Sequence, residues 1–245
     1  MQVVDNRREH VLVVGGSSGM GLSLAASLLA DGARVTLAGR DQNRLEAARR
    51  SLPDQERVTI VPADITNEDD VIRLFAKAGT VDHIVTTAAT LDGVYRLLPE
   101  LEMSAIRRAI DSKLIGPLLL AKYGVPSLSQ CGSITFTSGI AAYRPAARGS
   151  VVAAVNGALA SLAYALAVEL APIRVNVVSP GWVDSPIWAS VAGDKKSEML
   201  EAMANRLPVG RVGEPADIAQ AIQFLMRSGF TTGTVLHVDG GHRLV

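Results

Sequence analysis

The chain has 245 residues, with 24 Lys and Arg balancing 24 Asp and Glu. That length suits one large domain burying about 70–75% of the surface its unfolded form would expose, and requires no second one. The short arginine pairs at 7–8, 49–50 and 107–108 are scattered rather than gathered into a stripe, which argues against a nucleic-acid partner.

In chain order, Met1 to Glu9 is polar with no apolar signal core. The single cysteine, Cys131, cannot form an internal disulfide. Both features favour a reducing cytoplasm, and Cys131 reads as a small core residue. The first element is Val11-Leu12-Val13-Val14, a buried parallel strand, and directly behind it stands Gly15-Gly16-Ser17-Ser18-Gly19-Met20-Gly21. This turn reads as a phosphate cradle, because Gly15, Gly19 and Gly21 let the backbone turn sharply and approach a pyrophosphate at a helix N-terminus. The helix follows from the spacing of Leu22, Leu24, Ala25, Leu28 and Leu29, and Asp31-Gly32 stops it.

Strand-like runs recur at Val35–Ala38, Val58–Val61, Ile84–Thr87, Ser133–Thr137, Val175–Val178 and Val235–Val238. Between them, Asp41–Arg50, Glu68–Lys77, Leu101–Tyr123, Gly149–Leu170 and Pro215–Arg227 have helical spacing. The alternation predicts an α/β fold: a single doubly wound Rossmann-type parallel sheet of about seven strands with helices on both faces. Residues 1–245 then form one dinucleotide-binding domain. The irregular stretch from Trp182 to Pro208 is the one long insertion, and its place after a strand's carboxyl end makes it a candidate substrate lid. Val151 to Val168 carries no charge and approaches the length of a membrane span. Its alanines, together with Asn156, Ser161, Tyr164 and the terminal Glu169, predict a helix buried between layers or subunits, with no membrane partner.

At the end of the second strand, Ala38-Gly39-Arg40-Asp41 puts Arg40 where a carboxylate would hold the adenosine ribose hydroxyls of NAD. A guanidinium pairs with a 2′-phosphate whereas an acid repels it, so NADP(H) is favoured over NAD(H). The alternative is that Arg40 merely solvates a helix start capped by Asp41. Asp64, ending the third strand in Ala63-Asp64-Ile65, either accepts a hydrogen bond from the adenine amino group or caps the helix beyond Thr66.

These residues, taken together, resemble the short-chain dehydrogenase/reductase family over nearly the whole chain. The turn at Gly15, Gly19 and Gly21 is similar to its glycine motif. Asp64 matches its adenine-contacting acid, and Ser179-Pro180-Gly181-Trp182-Val183-Asp184-Ser185-Pro186 resembles its nicotinamide loop. Arg211-Val212-Gly213-Glu214-Pro215 and Val238-Asp239-Gly240-Gly241 resemble its C-terminal signatures. The resemblance implies a cofactor held by Gly15, Ser17, Ser18, Gly19, Met20 and Gly21, by Arg40, Asp64, Ile65 and Ala88, and by Pro180 and Gly181. It also implies that the Val183 backbone and the Ser185 hydroxyl bind the nicotinamide carboxamide. Val14 replaces the usual threonine before the turn, and Thr86-Thr87-Ala88-Ala89 replaces Asn-Asn-Ala-Gly.

The catalytic pattern departs further. The family combines a serine, a Tyr-x-x-x-Lys pair and an asparagine on the preceding long helix. Ser138 is present at the end of the fifth strand, but the tyrosine position falls on Val151, the lysine position on Val155 and the asparagine position on Lys113. Three replacements follow. Lys113, its pKa depressed by an apolar pocket, donates the proton or holds the ribose; Tyr143, in the loop after Ser138, folds over the site; or the substrate is an iminium that already carries its proton. A further alternative is a catalytically inactive, dinucleotide-binding regulatory protein that has kept the fold and lost the chemistry.

The four histidines lack metal-ligand spacing, so no metal is expected, and no Ser-His-Asp order points to hydrolysis. The expected partner is a small-molecule substrate. By resemblance, Leu101–Tyr123 and Gly149–Leu170 pair between subunits of a homodimer or homotetramer, with Ala153, Gly157, Ala160 and Ala167 allowing close approach.

Overall fold

The computed structural model describes residues 8–186, 188 and 193–245. Its sheet consists of β1 (His10–Val14), β2 (Arg34–Gly39), β3 (Val58–Pro62), β4 (Val81–Thr86), β5 (Leu128–Thr137), β6 (Arg174–Pro180) and β7 (Val235–Val238). All pairings are parallel, in the order β3-β2-β1-β4-β5-β6-β7. This is the doubly wound α/β fold that the alternation implied. The winding reverses between β1 and β4, and their carboxyl ends therefore open the crevice where such sheets take ligands.

The helices are α1 (Gly19–Ala30), α2 (Gln42–Ser51), α3 (Glu68–Ala78), α4 (Met103–Ile110), α5 (Gly116–Gly124), α6 (Ser150–Glu169), α7 (Lys196–Ala204) and α8 (Pro215–Arg227). Alternate residues of each strand face opposite layers. Val11 and Val13 pack with Leu24, Leu28, Leu45 and Ile222 of α1, α2 and α8. Leu12 and Val14 pack with Leu74, Leu120 and Leu159 of α3, α5 and α6 on the other face. Two covered faces explain why β1 is apolar without alternation. Each fully buried leucine contributes about 1.5–3 kcal/mol.

The long helix expected over Leu101–Tyr123 is interrupted. Between α4 and α5 the chain widens into a π-helical segment, Asp111–Ile115. Pro117 stands just beyond it and has no N–H for the Lys113 carbonyl four residues back, and its ring crowds that carbonyl. The widened turn buries Ser112 and Lys113.

Three other expectations are corrected. Cys131 is exposed rather than a core residue, because β5 begins earlier than its apolar run, at Leu128, and its first residues lie at the sheet's margin. The cap of α3 is Asn67, whose side chain accepts from the Asp70 N–H at 3.0 Å, so Asp64 is not the cap. Ala160 is buried, whereas a side chain at Gly157 would meet nothing within 4 Å; only the latter faces outward. Helix α6 is long and apolar enough to cross a membrane, yet Val155, Leu159 and Ala163 bury one side of it against the domain.

At the amino edge of the sheet, His83 lies between the Ser133 hydroxyl at 2.7 Å and the Glu9 carboxylate at 3.0 Å. This serine–histidine–carboxylate line was not visible in the sequence. Ser133 is fully buried and lies at the edge opposite the crevice, so the line ties strands together and offers no nucleophile.

Candidate functional site

The crevice is a cleft of about 830 Å³ over the carboxyl edge of the sheet. Its floor is the glycine turn. Gly15 has φ +84°, and a Cβ there would come within 2.7 Å of the Ala88 nitrogen; a Cβ on Gly21 would lie 2.5 Å from the Gly15 oxygen. The turn is thus pressed against the chain leaving β4, a contact reinforced by the Thr87 N–H donating to the Val14 carbonyl at 2.9 Å. Helix α1 begins at Gly19, its first turn holding no acidic residue and its Ser18 cap making no side-chain capping bond. The amides of that turn therefore offer a partial positive charge to an anion.

Of the residues expected around a dinucleotide, Gly15, Ser17, Ser18, Gly19, Met20, Arg40, Asp64, Ile65, Ala88 and Ser185 line this one cleft. Gly21 lies behind it, beneath Gly15. Pro180, Gly181 and Val183 do not line it. Gly181 is required elsewhere, since a Cβ there would sit 2.6 Å from the Asp239 Cα. Arg40 lines the cleft, and Asp41 caps α2 by accepting from the Arg44 N–H at 3.0 Å. One Asp64 oxygen accepts from the Thr66 N–H and hydroxyl, at 3.0 and 2.8 Å, which fixes the carboxylate at the cleft wall. Arg44 was missed: its guanidinium reaches back over the turn, 3.4 Å from the Ser18 hydroxyl. Its position three residues after an N-cap, on the first turn of a helix that starts at the cleft, was the available signal. The buried Thr137 hydroxyl, which also belongs to the lining, has no partner among the described residues.

The opposite end of the cleft is bounded by Thr90–Gly93, Tyr95, Arg96, Ser112, Lys113, Thr137 and Ser138. Lys113 extends from the π-helical turn, and its ammonium donates to the Thr137 carbonyl at 2.6 Å and, at 3.4 Å, to that of Ser138. Burial without a counter-charge lowers its pKa from 10.5 to about 8. Ser138 is held by its N–H donating to the Val178 carbonyl at 2.9 Å and its hydroxyl donating to the Asn156 carbonyl at 3.0 Å. That hydroxyl keeps its lone pairs for a donor in the cleft.

Val155 is buried in α6, and Val151 packs with Leu91, Val94, Ala105 and Val152. Helix α6 contains no lysine, and its one tyrosine, Tyr164, is exposed. Tyr143 is placed outside the cleft lining: the short helical turn Ile140–Ala142 carries it to β7, where its ring meets His237 edge-on at 4.4 Å. The phenol in the lining is Tyr95, its pKa raised by burial. It lies in the loop after β4, and nothing in the sequence marked it.

Part of the Trp182–Pro208 insertion, residues 187 and 189–192, lies outside the described residues. The remainder includes α7, whose Lys196 pairs with Asp184 at 2.7 Å.

A profile of the family described as enoyl-(acyl carrier protein) reductase matches residues 14–243. The chain is 35% identical to the short-chain dehydrogenase/reductase ATR9 of Stachybotrys chlorohalonatus, over 96% of this chain and 97% of that protein. Among solved structures it is similar to the MalC reductase/Diels-Alderase from Malbranchea aurantiaca, with TM-score 0.89, 30% identity and coverage of 98% and 97% of the two chains. It is also similar to a small-chain dehydrogenase in complex with NADPH, with TM-score 0.80, 33% identity and coverage of 98% and 100%. The sheet order, the glycine turn and these likenesses over nearly the full length agree: the chain belongs to the short-chain dehydrogenase/reductase family of oxidoreductases.

Proposed function

We propose that the protein is an NADP(H)-dependent oxidoreductase acting on a small carbonyl, alcohol or imine substrate, with Lys113 and Ser138 working in place of the family's Tyr-x-x-x-Lys pair. The observation that carries this reading is the buried Lys113 ammonium in the cleft lining beside Ser138, with a pKa near 8.

The cleft fits the dinucleotide in three respects: a glycine turn at its floor pressed against the chain leaving β4, a helix N-terminus with no acidic residue in its first turn, and two arginines at the adenosine end. Arg40 and Arg44 would hold the 2′-phosphate, a contact an acidic residue would oppose. The similar dehydrogenase bound to NADPH supports that preference. The first turn of α1 would hold the pyrophosphate and Ser185 the carboxamide, with the Val183 backbone just behind the lining reaching it as the nicotinamide seats. When bound, NADP(H) supplies or accepts the hydride.

Two Lys113 N–H bonds are directed at carbonyl oxygens, leaving the third for a ligand. In carbonyl reduction Lys113 gives its proton to the substrate oxygen as the carbon gains hydride, and the resulting neutral amine regains a proton from solvent. Positioned general acids of this kind contribute roughly 10²–10⁴ in rate. Ser138 orients the substrate's polar group, and the 182–208 insertion is the candidate substrate lid. An iminium substrate would need no proton from Lys113.

The packing of Val151 against an apolar cluster and the burial of Val155 favour, as a second reading, a dinucleotide-binding regulator without turnover. Exposed Met103, Ile115 and Leu118 on α4–α5 and Tyr164 and Val168 on α6 support pairing of these helices in a homodimer or homotetramer.

Incubation with stereospecifically deuterated NADPH and panels of ketones, aldehydes and cyclic imines, followed by mass spectrometry, tests the reading. Deuterium in a product supports the enzyme; tight NADPH binding without transfer to any class supports the regulator.

A further inference from the structure

Trp182 and Trp188 are the chain's two tryptophans, and they stack on one another with ring centroids 4.3 Å apart and planes 20° from parallel. The Trp188 indole N–H donates to the Val183 carbonyl at 2.7 Å. On the other side of the same loop, Gly213 bridges Val183: its N–H donates to the Trp182 carbonyl and its carbonyl accepts from the Asp184 N–H, both at 2.8 Å.

The Val183–Asp184 peptide is therefore gripped at both ends, its carbonyl by the indole and its N–H by Gly213. The Trp182–Val183 peptide is trans, and because its carbonyl is fixed on Gly213, the Val183 N–H points the opposite way. The same loop carries Ser185 and Pro186 over the start of α1, where a Cβ on Gly19 would lie 3.2 Å from Pro186 and 3.8 Å from Ser185.

We infer that Trp188 is a positioning residue for the nicotinamide end of the cofactor. By clamping the Val183 carbonyl and stacking on Trp182, it sets the direction of the Val183 N–H and Ser185 before ligand arrives. This rests on the cofactor reading proposed above. Without the clamp, the loop must be ordered at the expense of binding. The adenosine end is built on other elements, by the glycine turn and by Arg40 and Arg44.

The test compares two ligands on wild type, Trp188→Phe and Trp188→Leu. The Phe variant keeps a ring on Trp182 and removes the donor; the Leu variant removes both. NADPH probes the whole site, and adenosine 2′,5′-bisphosphate probes the adenosine end alone, each titrated by calorimetry. In the Phe variant NADPH is expected to bind about five- to tenfold more weakly, the loss of one hydrogen bond. The bisphosphate is expected to bind within about twofold of wild type. If the Leu variant does not fold, the Phe variant decides alone. Equal NADPH affinity in wild type and Trp188→Phe would overturn the inference, as would equal weakening of both ligands, which would mark a merely structural residue. Failure of the wild type to bind NADPH would overturn the cofactor reading, and the positioning role with it.

Discussion

The Lys113 ammonium lies 2.6 Å from the main-chain oxygen of Thr137 at the carboxyl end of β5, and no carboxylate among the described residues pairs with it. A buried charge satisfied only by peptide dipoles costs stability. The turn that holds it is itself a departure from regular helix, opened where Pro117 denies the Lys113 carbonyl its partner. Retention of both features at one point of the cleft is the pattern of a functional group held against the preference of the fold.

Lys113→Met is accordingly expected to stabilise the protein while impairing it. With the pKa lowered from 10.5 to about 8, the folded protein binds fewer protons than the unfolded chain between those values. Stability falls as pH drops through that window, and the full penalty applies below about 8. Removal of the charge should recover on the order of 3 kcal/mol at pH 7, measured as a higher midpoint in urea. An unchanged or lower midpoint would mean that the amine is not buried as a charge.

Carbonyl reduction needs the ammonium, so its rate should fall as pH rises through about 8, with one proton lost. Alcohol oxidation needs the free amine and should rise through the same range. Lys113→Arg should remove this limb, because a guanidinium stays protonated. A pH-independent rate with an imine and a pH-dependent one with a ketone would separate the two substrate classes. Stopped-flow absorbance of the nicotinamide gives both profiles.

Arg40→Ala and Arg44→Ala should each weaken NADPH about tenfold and leave NADH within about twofold. Competition titrations with the two nucleotides read this directly. Equal losses for both would place the guanidinium groups elsewhere than at the 2′-phosphate.

Gly21→Ala should cost about 1–3 kcal/mol as the turn gives way, since the added methyl would lie 2.5 Å from the Gly15 oxygen. NADPH affinity should fall with it. Thermal melts with and without NADPH would check both effects.

The sheet was legible because its strands are covered on both faces, so that Val11–Val14 is unbroken by polar residues. The glycine turn was legible because only a residue without Cβ satisfies the close approach to Ala88. Long-range placement was less legible. Tyr143 follows Ser138 by five positions in sequence, yet the turn at Ile140–Ala142 directs it to His237. Arg44 and Tyr95 reach the cleft from a helix start and a loop whose directions depend on neighbouring strands. The interruption of Leu101–Tyr123 could have been read from Pro117, whose local cost outweighs apolar periodicity on both sides. Cys131 was misplaced because a strand's pairing extends beyond its apolar run.

The most direct test is single-turnover transfer from deuterated NADPH to a carbonyl substrate by wild type and Lys113→Met at pH 7. The rate in the variant is expected to fall by roughly 10²–10⁴, with product still labelled at the same carbon. A variant that matches wild type in both transfer rate and NADPH affinity would contradict the assignment of the missing pair's work to Lys113.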